Sequence, residues 1–245
     1  MKYYIVTGAS KGLGEKLSDQ ILELGHQVIG VSRSGHAEHN KSESYHEIKS
    51  DLSNEQDLKQ LMSNVMAIVD KENVEAIYLI NNAGGLNPIG AVGTLKSEDI
   101  LKSLTLNVAA PMILSNDFIR ETEDFKCEKR ILTLSSGAGK RPFHGWHCYC
   151  VGKAGVDMMT RSIGLDQGEK GVRAIAFGPG IMDTDMQTQI RSQEVQNFKD
   201  VEMFRGFKSD GMLRKPEDVA KAIIKVLHDP EAEQGWITDV KELEK

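Results

Sequence analysis

Thr7-Gly8-Ala9-Ser10-Lys11-Gly12-Leu13-Gly14 joins an apolar run, Tyr3-Tyr4-Ile5-Val6, to a stretch of helical length carrying Leu13, Leu17, Ile21 and Leu24. Those apolar positions recur every three or four residues, the spacing of one helical face, and Gly25 marks the stop. The stretch reads as a first strand, a glycine turn and a first helix, and the same rhythm continues outward. Gln27-Val28-Ile29-Gly30-Val31 is a second strand, and a weaker one at Tyr45–Lys49 ends at Asp51. Leu58, Leu61, Met62, Val65 and Val69 mark one helix, and Ala76-Ile77-Tyr78-Leu79-Ile80 a fourth strand. A long helix at about 97–119, a strand at 130–134, a helix at about 147–165 and a strand at 172–177 follow. The helix Pro216–Leu227 and a short strand at 235–239 close the chain. Several strands are apolar on both faces, so the sheet is parallel and covered on both sides by the helices. Right-handed crossovers leave the doubly wound arrangement.

The expected fold is therefore α/β, one doubly wound Rossmann-type domain over 1–245, with helices on both faces of a mainly parallel, seven-stranded sheet. After Pro179 the rhythm breaks for about thirty residues rich in Met, Gln and Phe, which predicts a substrate lid at about 183–212. The 245 residues include 30 Lys or Arg and 36 Asp or Glu, a net charge of −6. With 40% apolar and 27% charged residues the chain is globular, not disordered. It has no basic block for nucleic acid and no apolar run near the roughly 18 residues that span a bilayer. The run Lys2–Thr7 is too short for a signal peptide. Cys127, Cys148 and Cys150, an odd number, read as free thiols in a reducing compartment, so a cytoplasmic protein is expected. His144, His147, Cys148 and Cys150 lack the spacing of structural zinc sites, and no metal is expected. The acidic run from Asp239 to Lys245 reads as a solvated end.

The glycine turn also carries chemistry. Gly8 permits the tight turn, Gly12 lets the backbone approach a pyrophosphate, and Gly14 allows close helix packing. The amides and dipole at the helix start attract phosphates. The ending is not that of a Walker loop, which needs Gly-Lys-Ser/Thr. NAD-selective sites place Asp or Glu at the end of the second strand, on the ribose 2′-hydroxyl. Here that position reads Val31-Ser32-Arg33-Ser34. Arg33, with Lys11, suits a 2′-phosphate, which favours NADPH; otherwise both are solvated surface cations.

Tyr149 and Lys153, four apart at a helix start, share a face. A phenol with its ordinary pKa near 10 exchanges protons poorly at neutral pH, and a nearby ammonium is expected to lower it. Ser136 lies just beyond strand 130–134, at the carboxyl edge where ligands bind such sheets. Asn107 sits inside the long helix, where an amide needs a reason. A Tyr–Lys helical pair alone is commonly surface decoration; the combination is what points to catalysis.

The glycine turn at 7–14, Asp51-Leu52, Asn81-Asn82-Ala83-Gly84, Asn107, Ser135-Ser136-Gly137, Tyr149-x-x-x-Lys153 and Pro179-Gly180 before Thr184 resemble the short-chain dehydrogenase/reductase family over nearly the whole chain. The resemblance implies that Tyr149 is the general acid and that Ser136, chosen over Ser135 by its 13-residue separation from Tyr149, binds the substrate carbonyl. It implies that Lys153 holds the nicotinamide ribose and tunes Tyr149, and that Asn107 anchors a water in the proton relay. Asp51 and Leu52 would contact adenine, Asn82 and Gly84 would line the adenosine-ribose side, and Thr184 would touch the nicotinamide or its phosphate. Ser10, Leu13, Ala83, Pro179 and Gly180 complete the implied cofactor contacts.

Gly145-Trp146-x-x-Tyr149-Cys150 and Met182-Asp183-Thr184-Asp185-Met186-Gln187 resemble the sepiapterin reductase branch, and within it the bacterial benzil reductases. This implies hydride transfer from the pro-S side to one carbonyl of an aromatic 1,2-diketone, giving an (S)-hydroxyketone. Phe143, Trp146, Met182, Met186, Met203, Phe204, Phe207 and Met212 suit an apolar pocket, or else ordinary lid packing. Asp239 falls where sepiapterin reductases anchor the pterin, or is a turn residue. The alternatives are pterin reduction and, in another class, a non-catalytic NADP(H) sensor. The expected partner is a small ketone or diketone, and the resemblance implies a homodimer through the helices near 97–120 and 147–166.

Overall fold

The computed structural model describes residues 1–36, 39 and 42–244, so Lys245 of the acidic end lies outside the described residues. Seven strands form one sheet: β1 (Lys2–Thr7), β2 (Gln27–Ser32), β3 (Tyr45–Lys49), β4 (Ala76–Asn81), β5 (Glu128–Leu134), β6 (Arg173–Gly178) and β7 (Trp236–Asp239). Their order is β3-β2-β1-β4-β5-β6-β7 and every pairing is parallel. Strand order reverses between β1 and β4, which opens a crevice at their carboxyl ends.

Alternation of side chains splits the core in two. Tyr4, Val6, Val28, Tyr78, Ile80, Leu132 and Phe177 face α1 (Gly12–Glu23) and, later in the chain, the helix Pro216–Leu227. Tyr3, Ile5, Ile29, Val31, Ile77, Leu79 and Ile131 face the opposite way, onto Leu58, Leu61, Val65, Leu114 and Phe118. Burying strands on both faces is what produces their uninterrupted apolar runs.

Three expectations change in detail. The helix marked by Leu58 to Val69 is two short helices, α2 (Glu55–Leu58) and α3 (Leu61–Met66). The long helix at 97–119 is α4 (Ser97–Leu104) and α5 (Ala110–Glu121), separated by a π turn at Thr105–Ala109. The stretch 183–212, read as a break in the strand–helix rhythm, holds two helices: after α6 (His147–Gln167) and β6 it forms α7 (Asp185–Arg191) and α8 (Val201–Ser209), followed by α9 (Pro216–Leu227). Backbone bonds between Asp183 and Arg214 (3.0 Å) and between Arg214 and Ile181 (2.8 Å) fasten the two ends of this stretch together. Among the described residues no helix is long and apolar enough to cross a membrane, and the three cysteines are free thiols.

Candidate active site

The β1–α1 turn is built for close approach. Gly8 and Gly12 hold φ of +69° and +58°, and a Cβ on Gly14 would overlap the Gly8 carbonyl. Asn82 holds the turn: its Nδ2 donates to the Thr7 carbonyl at 2.8 Å, and its backbone N–H donates to Thr7 Oγ1 at 3.0 Å. Ala83 N–H donates to the same hydroxyl at 3.0 Å. Asn82 Nδ2 is thus engaged by the turn. Lys11 precedes the first turn of α1 without capping it by its side chain, so the cap side chain leaves the first-turn amides available to an anion. This cradle, which an added Cβ would fill, fits a dinucleotide pyrophosphate. Thr184 lies against it, its methyl 3.8 Å from where a Gly12 Cβ would stand.

Arg33 is exposed just past β2 and close enough to Asp51 to act on its charge. Burial works to raise the Asp51 carboxyl, but bonds from Ser53 and the charges of Arg33 and Lys102 win and hold it below the usual range. Lys11 pairs with Asp185 at 2.9 Å, an exposed contact that joins the glycine turn to α7. Leu52 and Leu13 send their side chains into the two core layers, which leaves only their backbone for a cofactor. Ser10 is partly accessible and Gly84 is exposed. Gly180 turns the chain after Pro179 with φ +73°, its Cα facing the Val240 and Arg214 side chains.

Tyr149 opens α6 and is buried, with the Ser136 hydroxyl in hydrogen-bonding reach. Ser136 also accepts from Ala138 N–H at 3.2 Å, which fixes its side chain. Lys153, one turn on, is buried with Nζ donating to the Leu134 carbonyl at 2.6 Å and lying 5.6 Å from the Tyr149 ring centroid. A lowered phenol was the expectation; the protein's own groups do the reverse. Burial pushes Tyr149 up to about 12 against the Ser136 hydrogen bond. Burial also brings Lys153 down to about 8, with Asp157 opposing. For both groups desolvation is the largest influence, because each charged form is held away from water.

Asn107 explains its place in the π turn. Its Nδ2 donates to Gly85 O (3.0 Å) and Ser103 O (3.1 Å), and its Oδ1 accepts from Gly85 N–H (3.0 Å). The side chain therefore ties the loop after β4 to the helix, and a π turn at such a point is a common mark of a functional site. A Cβ on Gly84 would stand 3.1 Å from Asn107 Oδ1 and 3.7 Å from Lys153 Nζ, so these three residues converge.

A cavity of about 290 Å³ opens from Ser136 and Tyr149 toward the lid. Phe143, Trp146, Met182, Met186, Met203, Phe204 and Phe207 line it, as does Asp239 at its rim; Met212, by contrast, is exposed and outside the lining. Trp146 meets Tyr149 edge-on at 5.7 Å and stacks on Phe198 at 4.4 Å. Asp239 Oδ1 accepts from the Lys241 N–H at 3.0 Å, a turn role, while Oδ2 lies 3.7 Å from Lys140 Nζ. Sequence reasoning missed Thr7 as the holder of the turn, and Leu86, Gln187 and Ile190 in the cavity wall. Only Gln187 left a signal in the sequence, as the last residue of the stretch Met182-Asp183-Thr184-Asp185-Met186-Gln187; in the structure it and Ile190 are the buried residues of α7.

This arrangement presents a protonated phenol and a hydroxyl to one oxygen, beside a phosphate-binding turn and under an apolar roof. A family model described as short chain dehydrogenase matches residues 2–195. The chain is 38% identical to a benzil reductase ((S)-benzoin forming) of Bacillus cereus, over 99% of this chain and 100% of that one. It is 28% identical to sepiapterin reductase of Meriones unguiculatus, covering 76% of each. The solved YIR035C short chain dehydrogenase/reductase from Saccharomyces cerevisiae superposes with a TM-score of 0.84 at 27% identity, over 98% of this chain and 96% of that one.

Proposed function

The chain belongs to the short chain dehydrogenase family and is an oxidoreductase, and from that premise we propose that it is an NADPH-dependent reductase of aromatic 1,2-diketones such as benzil. The observation that carries the reading is the buried phenol of Tyr149 beside Ser136 at the inner end of an apolar cavity. Bound reduced nicotinamide would supply hydride to the carbonyl carbon, from its pro-S side by resemblance to the family. Tyr149 gives its proton to the carbonyl oxygen as negative charge develops there, and Ser136 donates a hydrogen bond to the same oxygen. Lys153 holds the cofactor ribose and supports the phenol, while Asn107 keeps the loop at Gly85 beside it. Trp146 and the lid aromatics exclude water, which strengthens every polar contact inside.

Selectivity for NADPH is supported by Arg33 standing where an NAD-selective site carries an acid. Leu101, Met112, Val151, Met158 and Leu165 are exposed apolar residues along α4, α5 and α6, and these helices are the surface proposed for a homodimer. The test is consumption of NADPH by the purified chain with benzil, NADH and sepiapterin run beside it, and chiral analysis of the product. The expected outcome is (S)-benzoin, with NADPH preferred over NADH. Turnover of sepiapterin but not benzil would move the assignment to pterins, and binding of NADPH with no turnover of any ketone would make the chain a sensor.

A further inference from the structure

Gln187 lines the cavity and is 3% exposed. Neither its amide oxygen nor its amide nitrogen has a hydrogen-bond partner among the described residues, and both are shielded from water. Its buried companion on α7 is Ile190, so an apolar side chain would pack there at no polar cost. Gln189 on the same helix behaves ordinarily, its amide donating to Asn87 Oδ1 at 2.8 Å. A dry, unpartnered amide lowers stability, and its retention in a ligand cavity needs a reason. Leu86, Met186 and Phe204 of the same cavity wall are apolar. Besides Ser136 and Tyr149, the polar residues of the lining include Gln187, Arg141, Thr184 and Asp239, and Trp146 carries a second unpartnered donor, its Nε1.

We propose that Gln187 is the specificity-determining residue for the second, non-reacting oxygen of a 1,2-dicarbonyl, donating its Nε2–H to that oxygen while Tyr149 and Ser136 engage the first. The inference rests on the reductase reading above and adds what sets diketones apart from simple ketones. A site with a buried donor penalises a substrate that lacks the matching acceptor, because the donor then stays unpaired.

The test compares benzil with deoxybenzoin, the same skeleton with one oxygen removed, in the NADPH-loaded enzyme. The ratio of kcat/KM for benzil over deoxybenzoin is measured in the wild type, in Gln187→Met, which keeps the shape, and in Gln187→Glu, which replaces the donor with an acceptor. Intrinsic electrophilicity cancels when the ratios are compared between proteins. Both variants are expected to lower the ratio by about tenfold or more. The Tm of Gln187→Met without substrate is expected to rise, since a buried unpaired amide is gone. Equal losses on both ketones, the pattern of an amide that meets the cofactor, would overturn the inference. So would an unchanged ratio, or a lower Tm showing that the amide has a structural partner. A wild type that reduces neither ketone would overturn the parent reading, and this inference with it.

Discussion

A phenol that is to deliver a proton must first keep it, and burial does that for Tyr149 by pushing it up to about 12. The pH dependence of reduction then falls to Lys153, which burial brings down to about 8 against the pull of Asp157. Below that value the ammonium is present; above it the charge is lost. With NADPH saturating, kcat/KM for reduction should be flat from about pH 6 to 8 and then fall about tenfold per unit, one ionisation being involved. A pH–rate profile checks this, and a limb that first breaks near pH 10 would contradict it. For stability the sign is reversed. Between the folded value of about 8 and the ordinary 10.5, the unfolded chain holds a proton that the folded chain has released, so this residue's cost to folding shrinks as pH rises. Tyr149, Lys153 and Ser136 are legible in sequence because helix periodicity and a strand end set their relations. Lys11 is not, since its partner Asp185 lies 174 residues away, and Asn82 is not, since it reaches back 75 residues to Thr7.

Among the elements, the lid was legible only as an interruption of the strand–helix rhythm. α7 and α8 are seven and nine residues long and lack side-chain caps, so little marks their ends. What holds them is aromatic packing: Phe198, fully buried between them, stacks on Trp146 with an interplanar angle of 3° and touches Phe204 at 5.4 Å. Phe198→Ala should cost the lid about 3 kcal/mol, the usual scale for emptying a buried aromatic site. Limited proteolysis should then cut within 185–209 faster, and KM for the diketone should rise. Unchanged proteolysis and KM would mean that the lid is held elsewhere. The π turn was likewise hidden: periodicity alone continues the helix across 105–109, and only the reach of Asn107 to Gly85 requires the wider turn.

For the molecule as a whole, the parallel, doubly wound sheet was legible because several strands are apolar on both faces and most crossovers are helical. That pattern puts the glycine turn, Ser136 and Tyr149 at one edge of the sheet, and long-range contacts set the rest of the site. The proposed reduction turns on one oxygen atom, the Tyr149 hydroxyl, as the proton donor. Replacing it by Tyr149→Phe, and measuring both NADPH affinity and benzil turnover, tests that claim most directly. The account predicts that NADPH affinity stays close to that of the wild type while turnover falls by about 10²–10⁴-fold or more. Turnover near the wild-type rate with NADPH bound would contradict it.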